Sequence, residues 1–184
     1  MFDELAGAPG EPADPYTIRT YSGRLVDPWD MKPEDVVWLD VVQALSHTNR
    51  FLGHTARPMS VARHSLEVSR ILEEQGASSD LQLAGLLHDA SEAYLGDVPR
   101  PLKRRPEYAP YREAEARCER AIAVRAGLTH LIEEGAWPAE VKAADVESYK
   151  RERAVRFDSL SCPSPTVAEV QEAFYAQLDR FGVA

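Results

Sequence analysis

The chain has 184 residues, 44% of them apolar and 28% charged, which fits one ordinary globular domain with its own core and excludes a disordered or fibrous chain. Its net charge of -9 opposes binding to long nucleic acid, which needs a broad basic surface, but leaves room for a small anionic ligand held by a few local cations. Apolar runs such as Leu83 to Leu87 fall far short of the roughly 18 residues that span a bilayer, and Met1 to Pro15 lacks the basic start and apolar stretch of a secretory signal. A cytoplasmic protein with no membrane partner is therefore expected, and self-association into a homo-oligomer is compatible with the composition. Cys118 and Cys162 match no zinc-ligand spacing and read as unpaired thiols of a reducing compartment.

In chain order, residues 1 to 15 are Pro/Gly-rich without periodicity and read as a flexible leader to a single domain over 16 to 184. Thr17 to Asp30 has room for a short hairpin. Pro33 suits a first helical turn, and Val36, Val37, Leu39, Val42 and Leu45 predict a helix to about Ser46. Thr48 to Pro58 reads as a loop. Ser60 is a good N-cap for a helix to Gln75, stopped by Gly76, with Val61, Val68, Ile71 and Leu72 as its stripe. Ser79 with Gln82 fits a capping box opening an almost wholly apolar, buried helix to about Ala90. After Gly96, Pro99 and Pro101 comes a long, mainly solvated helix from Glu107 to Ala126, then one from Pro138 to about Phe157. Following a turn at Ser161 to Pro165, a terminal helix is capped by Thr166 and Glu169 and carries Val170, Phe174, Leu178 and Phe181. The fold class is all-α, about six helices with little strand.

Chemistry concentrates at His88-Asp89, because an imidazole and a carboxylate at the end of a buried apolar helix are costly without partners. A hydrogen-bonded pair at a helix end would satisfy them, and so would a divalent metal in mixed nitrogen and oxygen ligation. His64 lies three residues after Val61 and four before Val68, on the inward face of its helix, and Asp145 follows Val141 by four. Three helices thus each aim a ligand-type side chain inward. Glu92, four residues after His88 and three after Asp89, falls on the same side, placed to relay a proton. Arg50, Arg63 and Lys103 are candidate cations for a small anionic ligand. His54 is a candidate hydrogen-bond donor to the same anion, whereas His47 and His130 read as a helix-end cap and a surface or packing residue.

This pattern of His64, His88-Asp89 and Asp145 resembles the HD-domain phosphohydrolase superfamily. The string His88-Asp89-Ala90-Ser91-Glu92-Ala93-Tyr94-Leu95-Gly96-Asp97-Val98-Pro99-Arg100-Pro101-Leu102-Lys103 looks like its bacterial and phage 5'-deoxynucleotidase-like branch, as do Leu45 to His54 and Ser60 to Ser65. The resemblance implies a helical HD-domain bundle whose metal is held by His64, His88, Asp89 and Asp145. It implies Glu92 and Asp97 as catalytic carboxylates, and Arg50 with Phe51, His54 and Lys103 at the substrate. Phe51 stands where such deoxynucleotidases typically carry tryptophan. Two-metal members add histidines between the His-Asp pair and the last aspartate. Only His130 lies there, so one divalent ion is expected, with manganese, cobalt, zinc and iron(II) all suited to the ligands. The implied activity is removal of phosphate from small nucleotides, foremost deoxynucleoside monophosphates. Competing readings are a deoxynucleoside triphosphate triphosphohydrolase, an alarmone hydrolase and a non-catalytic nucleotide-binding module.

Overall fold

A computed structural model describes residues 14–132, 136–155 and 164–183. Nearly all of the expected leader, the expected helix end at Phe157 and most of the Ser161 to Pro165 turn lie outside the described residues. The hairpin is present: β1 (Ile18–Arg19) pairs antiparallel with β2 (Leu25–Val26), Ile18 facing Val26. Buried Asp40 anchors it, accepting from the Ser22 backbone N–H at 2.6 Å and its hydroxyl at 2.8 Å.

The first helix, α1 (Trp38–His47), begins later than its apolar pattern implies. Pro33 instead opens a 3-10 turn, Pro33–Asp35, closed by the Asp35 carboxylate accepting from the Lys32 N–H at 3.0 Å. Val36 and Val37 then leave that turn extended, as β-branched residues readily do. α2 (Val61–Glu74) starts where expected, with the Ser60 hydroxyl accepting from the Arg63 N–H. α3 (Ser79–Leu87) is capped by Ser78 rather than Ser79, its hydroxyl accepting from Leu81 N–H, and it stops short of Ala90. His88 to Ser91 instead run in tight three-residue turns, with Ala90 N–H bonded to Leu87 C=O and Glu92 N–H to Asp89 C=O.

Two single-turn helices follow, α4 (Glu92–Leu95) and α5 (Arg100–Lys103). α6 (Ala109–Arg125) starts after a 3-10 turn at Pro106–Tyr108 and is more buried than expected, through Tyr111, Ala114, Cys118, Ala121 and Ile122. Much of that stripe is alanine and cysteine, which adds little hydrophobic contrast to a charged helix. α7 (Ala139–Val155) and α8 (Val167–Arg180) complete the described fold, the latter with the expected Thr166/Glu169 capping box.

The longer helices make an all-α bundle around α2, which packs against α1, α3, α7 and α8. Leu45, Ile71, Leu72, Leu86, Leu87, Phe174 and Leu178 are fully buried between them. No helix among the described residues is long and apolar enough to cross a membrane.

Gly85 sets the spacing of α2 and α3. A Cβ there would run into Leu72 Cδ1 and lie 3.3 Å from Val68 Cγ1, both on buried side chains. Gly85→Val is therefore expected to destabilise the protein by about 1–3 kcal/mol through overpacking. Urea unfolding checks this, and an unchanged midpoint would show that α3 moves freely. The same substitution disturbs the site, because the Gly85 carbonyl holds His88.

Candidate metal centre and active site

Four elements converge at one end of α2. His64, fully buried in its second turn, points towards α3 and α7, which meet α2 along adjoining faces. His88 and Asp89 arrive where α3 gives way to tight turns, and Asp145 comes from the second turn of α7. The Arg50 loop is drawn in by an antiparallel bridge between Asn49 and Ser60, with Arg50 N–H donating to Met59 C=O at 2.8 Å. This loop holds two consecutive left-handed non-glycine residues, Phe51 (φ 57) and Leu52 (φ 54). Such conformations cost roughly 1–3 kcal/mol each and persist only where surrounding contacts enforce them.

The ligand-type atoms of His64, His88 and Asp145 all lie within 4.8 Å of one another. His64 Nε2 is 3.1 Å from Asp145 Oδ1, and His88 Nε2 is 4.0 Å from the same oxygen. Asp89, the remaining expected ligand, falls outside that three-residue grouping, yet its Oδ2 is 3.2 Å from His88 Nε2 and 3.6 Å from His64 Nε2. The same oxygen accepts from Arg50 Nη1 at 3.3 Å.

The other ring nitrogens show what these atoms face. His88 Nδ1 is 2.8 Å from the Gly85 carbonyl, and His64 Nδ1 is 2.9 Å from Glu152 Oε1. Neither oxygen can donate, so both Nδ1 atoms carry the proton. In the neutral rings each Nε2 therefore presents a lone pair, and both Nε2 atoms are buried without a hydrogen-bond partner. Lone pairs crowded against two carboxylates repel unless positive charge lies among them. A divalent cation fits that need in charge and in donor chemistry. The same field acts on the titrating groups: although burial works against its charge, His88 is raised to about 9 by Asp89 and Asp145. Burial would raise Asp89, but His88, His64 and Arg50 hold it well below the usual carboxylate range.

Beside this cluster opens a cavity of about 280 Å³, lined by Arg50, Phe51, Asp89, Glu92, Asp97, Lys103, Asp145 and Tyr149 among others. Glu92 is 5% exposed and its Oε2 has no partner. Burial, reinforced by Asp89 and Asp97, pushes its carboxyl well above the ordinary value. Asp97 is raised too, chiefly by burial. It follows Gly96, whose backbone (φ 77, ψ 158) lies in a region open essentially to glycine alone, which turns the chain back towards the cavity. Lys103 bonds Glu115 and sits 3.7 Å from Glu92 Oε1.

The expected residues do not all gather here. His54 is exposed at the end of the Arg50–Gly53 turn and is not among those lining this cavity, and Arg63 faces another, larger one. His130 pairs with Asp80 on the surface at 3.0 Å, and His47 caps α1 through the Gln43 carbonyl. Sequence reading missed the contributions of α7 beyond Asp145. Ser148, Tyr149 and Glu152 follow it at three, four and seven residues, on one helical face. Ser148 Oγ lies 3.1 Å from His64 Nδ1, the Tyr149 ring lies 5.9 Å from Phe51, and Glu152 reaches both His64 and Arg50. That spacing was the available signal, but in a charged helix it looks like a solvated face. Arg100 was also missed, its Nη2 lying 3.6 Å from Asp145 Oδ2.

Glu119 on α6 was missed as well. Burial, then Glu115 and Asp89, push it from 4.5 to about 8. Between those values the folded protein keeps a proton that the unfolded chain releases, so stability falls as pH rises through this window. Glu119→Gln should therefore raise the Tm of metal-free protein by at least about 2 °C at pH 8.5, with the gain shrinking towards zero at pH 5. Thermal melts at both values check it, and an equal gain at each would refute the ionisation argument.

Residues 61–117, which carry His64, His88-Asp89, Glu92, Asp97 and Lys103, match the HD domain family. The chain is 32% identical over 137 residues to the uncharacterized protein YfdR of Escherichia coli (strain K12), covering 74% of this chain and 70% of that protein. It is 35% identical over 130 residues to an uncharacterized protein of Rhodobacter capsulatus, covering 68% of this chain and 63%, less than two thirds, of that relative. With the matched ligand segment, the helical fold and the cluster of two histidines and Asp145 in agreement, the chain belongs to the HD-domain family of metal-dependent hydrolases.

Proposed function

We propose that this chain hydrolyses phosphoesters of small nucleotides, foremost the 5'-phosphate of deoxynucleoside monophosphates, with one divalent cation held by His64, His88, Asp89 and Asp145. The observation that carries the reading is the cavity beside the ligand cluster, where buried carboxyls, cations and two aromatic rings share one small space. Bound there, the cation would lower the pKa of a water and offset phosphoryl charge. The chain's own groups supply the rest. Arg50 and Lys103 face the phosphate, and Asp97 supports a proton relay through Glu92. Burial and the carboxylates of Asp89 and Asp97 favour the Glu92 proton in the metal-free site, whereas the charge of a bound cation would favour its ionised form. In that form it takes the proton of the attacking water and returns one to the leaving 5'-oxygen. Phe51 and Tyr149, tilted 31° to each other, offer apolar faces to the nucleoside.

Charge favours a monophosphate over a triphosphate. Arg50, Arg100 and Lys103 line the cavity against Asp89, Glu92, Asp97 and Asp145. Arg50 and Lys103 are already ion-paired, so little positive charge beyond the cation is left for a tetra-anionic chain. Glu92, buried with one carboxyl oxygen unpartnered and lining the cavity, favours turnover over simple binding.

The test is incubation of manganese-loaded protein with separate panels of deoxynucleoside mono- and triphosphates. Orthophosphate from the monophosphates is expected. Release of inorganic triphosphate would assign the activity of a triphosphohydrolase instead, and metal binding without turnover of any nucleotide would sink the enzymatic reading.

A further inference from the structure

One carboxylate joins the metal cluster to the phosphate-facing arginine. Glu152, two turns beyond Asp145 on α7, places Oε1 2.9 Å from His64 Nδ1 and Oε2 3.1 Å from Arg50 Nε. Its side chain is only 11% exposed, that of Arg50 is equally enclosed, and His64 is fully buried. The two bonded groups come from α2 and from the bridged loop before it, so one side chain on α7 fixes the relation between three segments.

We propose that Glu152 is a positioning residue that sets the tautomer and direction of His64 for metal binding while holding Arg50 at the substrate cavity. The inference rests on the functional reading above. Its physical basis is the acceptor chemistry of a carboxylate. Accepting the Nδ1 proton forces the His64 lone pair onto Nε2, the atom facing Asp89 and Asp145. The charge on the acceptor also makes the imidazole a stronger donor to a cation, and losing such partners typically costs about 10- to 100-fold in metal affinity. Ser148 Oγ is the other group near Nδ1, but a neutral hydroxyl supplies no charge and does not reach Arg50 by any described contact. The second Glu152 oxygen holds the guanidinium through Nε, leaving Nη1 to reach Asp89 and the cavity.

The test titrates metal-free protein with Mn²⁺ alone, reading the free ion by its electron paramagnetic resonance signal, for wild type, Glu152→Ala and the isosteric Glu152→Gln. Glu152→Ala is expected to bind Mn²⁺ about 10- to 100-fold more weakly, with Glu152→Gln between it and wild type because a neutral carbonyl accepts less strongly. In Zn²⁺-loaded protein labelled with ¹⁵N, the His64 Nδ1 proton should appear as a strongly downfield signal in wild type and disappear in Glu152→Ala. Should the alanine variant fail to fold, the glutamine variant decides. Wild-type affinity in every folded variant overturns the positioning role and leaves the functional reading standing. Wild-type protein that binds no Mn²⁺ overturns the functional reading and this proposal with it. Weakened binding in the variants supports the proposal even where no nucleotide is turned over.

Discussion

Replacing Asp145 with alanine is expected to abolish metal retention and turnover together. Asp145 Oδ1 is 3.1 Å from His64 Nε2 and 4.0 Å from His88 Nε2, so α7 contributes it directly to the cluster of candidate donors. Loss of a direct ligand should exceed the roughly 100-fold upper range for partners that act through a ligand. The variant should therefore leave gel filtration with no stoichiometric manganese and show no measurable nucleotide hydrolysis. Folding offers an internal control. In metal-free protein this carboxylate helps hold the His88 proton, so its removal should lower the melting temperature modestly at neutral pH. Added Mn²⁺ should stabilise wild type by mass action and leave the variant where it was. Metal analysis and paired melts read these outcomes. Stoichiometric metal in Asp145→Ala would show that the cation is held without α7.

The clustering of His64, His88 and Asp145 was legible because a histidine or aspartate inside an apolar periodicity has few readings. His64 between Val61 and Val68 is buried in the structure as that spacing requires. The helix starts were harder. Pro33 and the valines after it carry a helical pattern, but a local bond from Lys32 N–H to Asp35 traps a 3-10 turn first, a competition that periodicity does not record. The Arg50 loop lay beyond local reasoning for another reason. What brings Arg50 to Asp89 is a bridge between Asn49 and Ser60, distant in sequence, and a left-handed pair at Phe51 and Leu52, neither residue being glycine or asparagine. His54 was a candidate from the same loop as Arg50, and the path of that loop leaves it exposed outside the cavity. Glu152 escaped notice because a glutamate among Lys150, Arg151 and Arg153 resembles any solvated helix, although its two partners lie 88 and 102 residues upstream.

The second large effect concerns rate without binding. Glu92→Gln should keep the metal and the fold, yet lose about 10²- to 10⁴-fold in kcat, the range supplied by a positioned proton-transfer group. The isosteric amide matches the shape of a protonated glutamic acid, and that is the form burial favours at this position. It also removes the need to ionise a group that is 5% exposed and beside two other carboxylates, so the variant should be at least as stable as wild type. The Lys103 ammonium, 3.7 Å away, keeps its bond to Glu115 and stays in place. KM should therefore change little while kcat falls, the pattern of an interaction made only in the transition state. Steady-state kinetics with a deoxynucleoside monophosphate, alongside metal analysis, separate the outcomes. A variant that kept wild-type kcat would move the proton relay from Glu92 to Asp97, the other carboxyl in the cavity raised by burial.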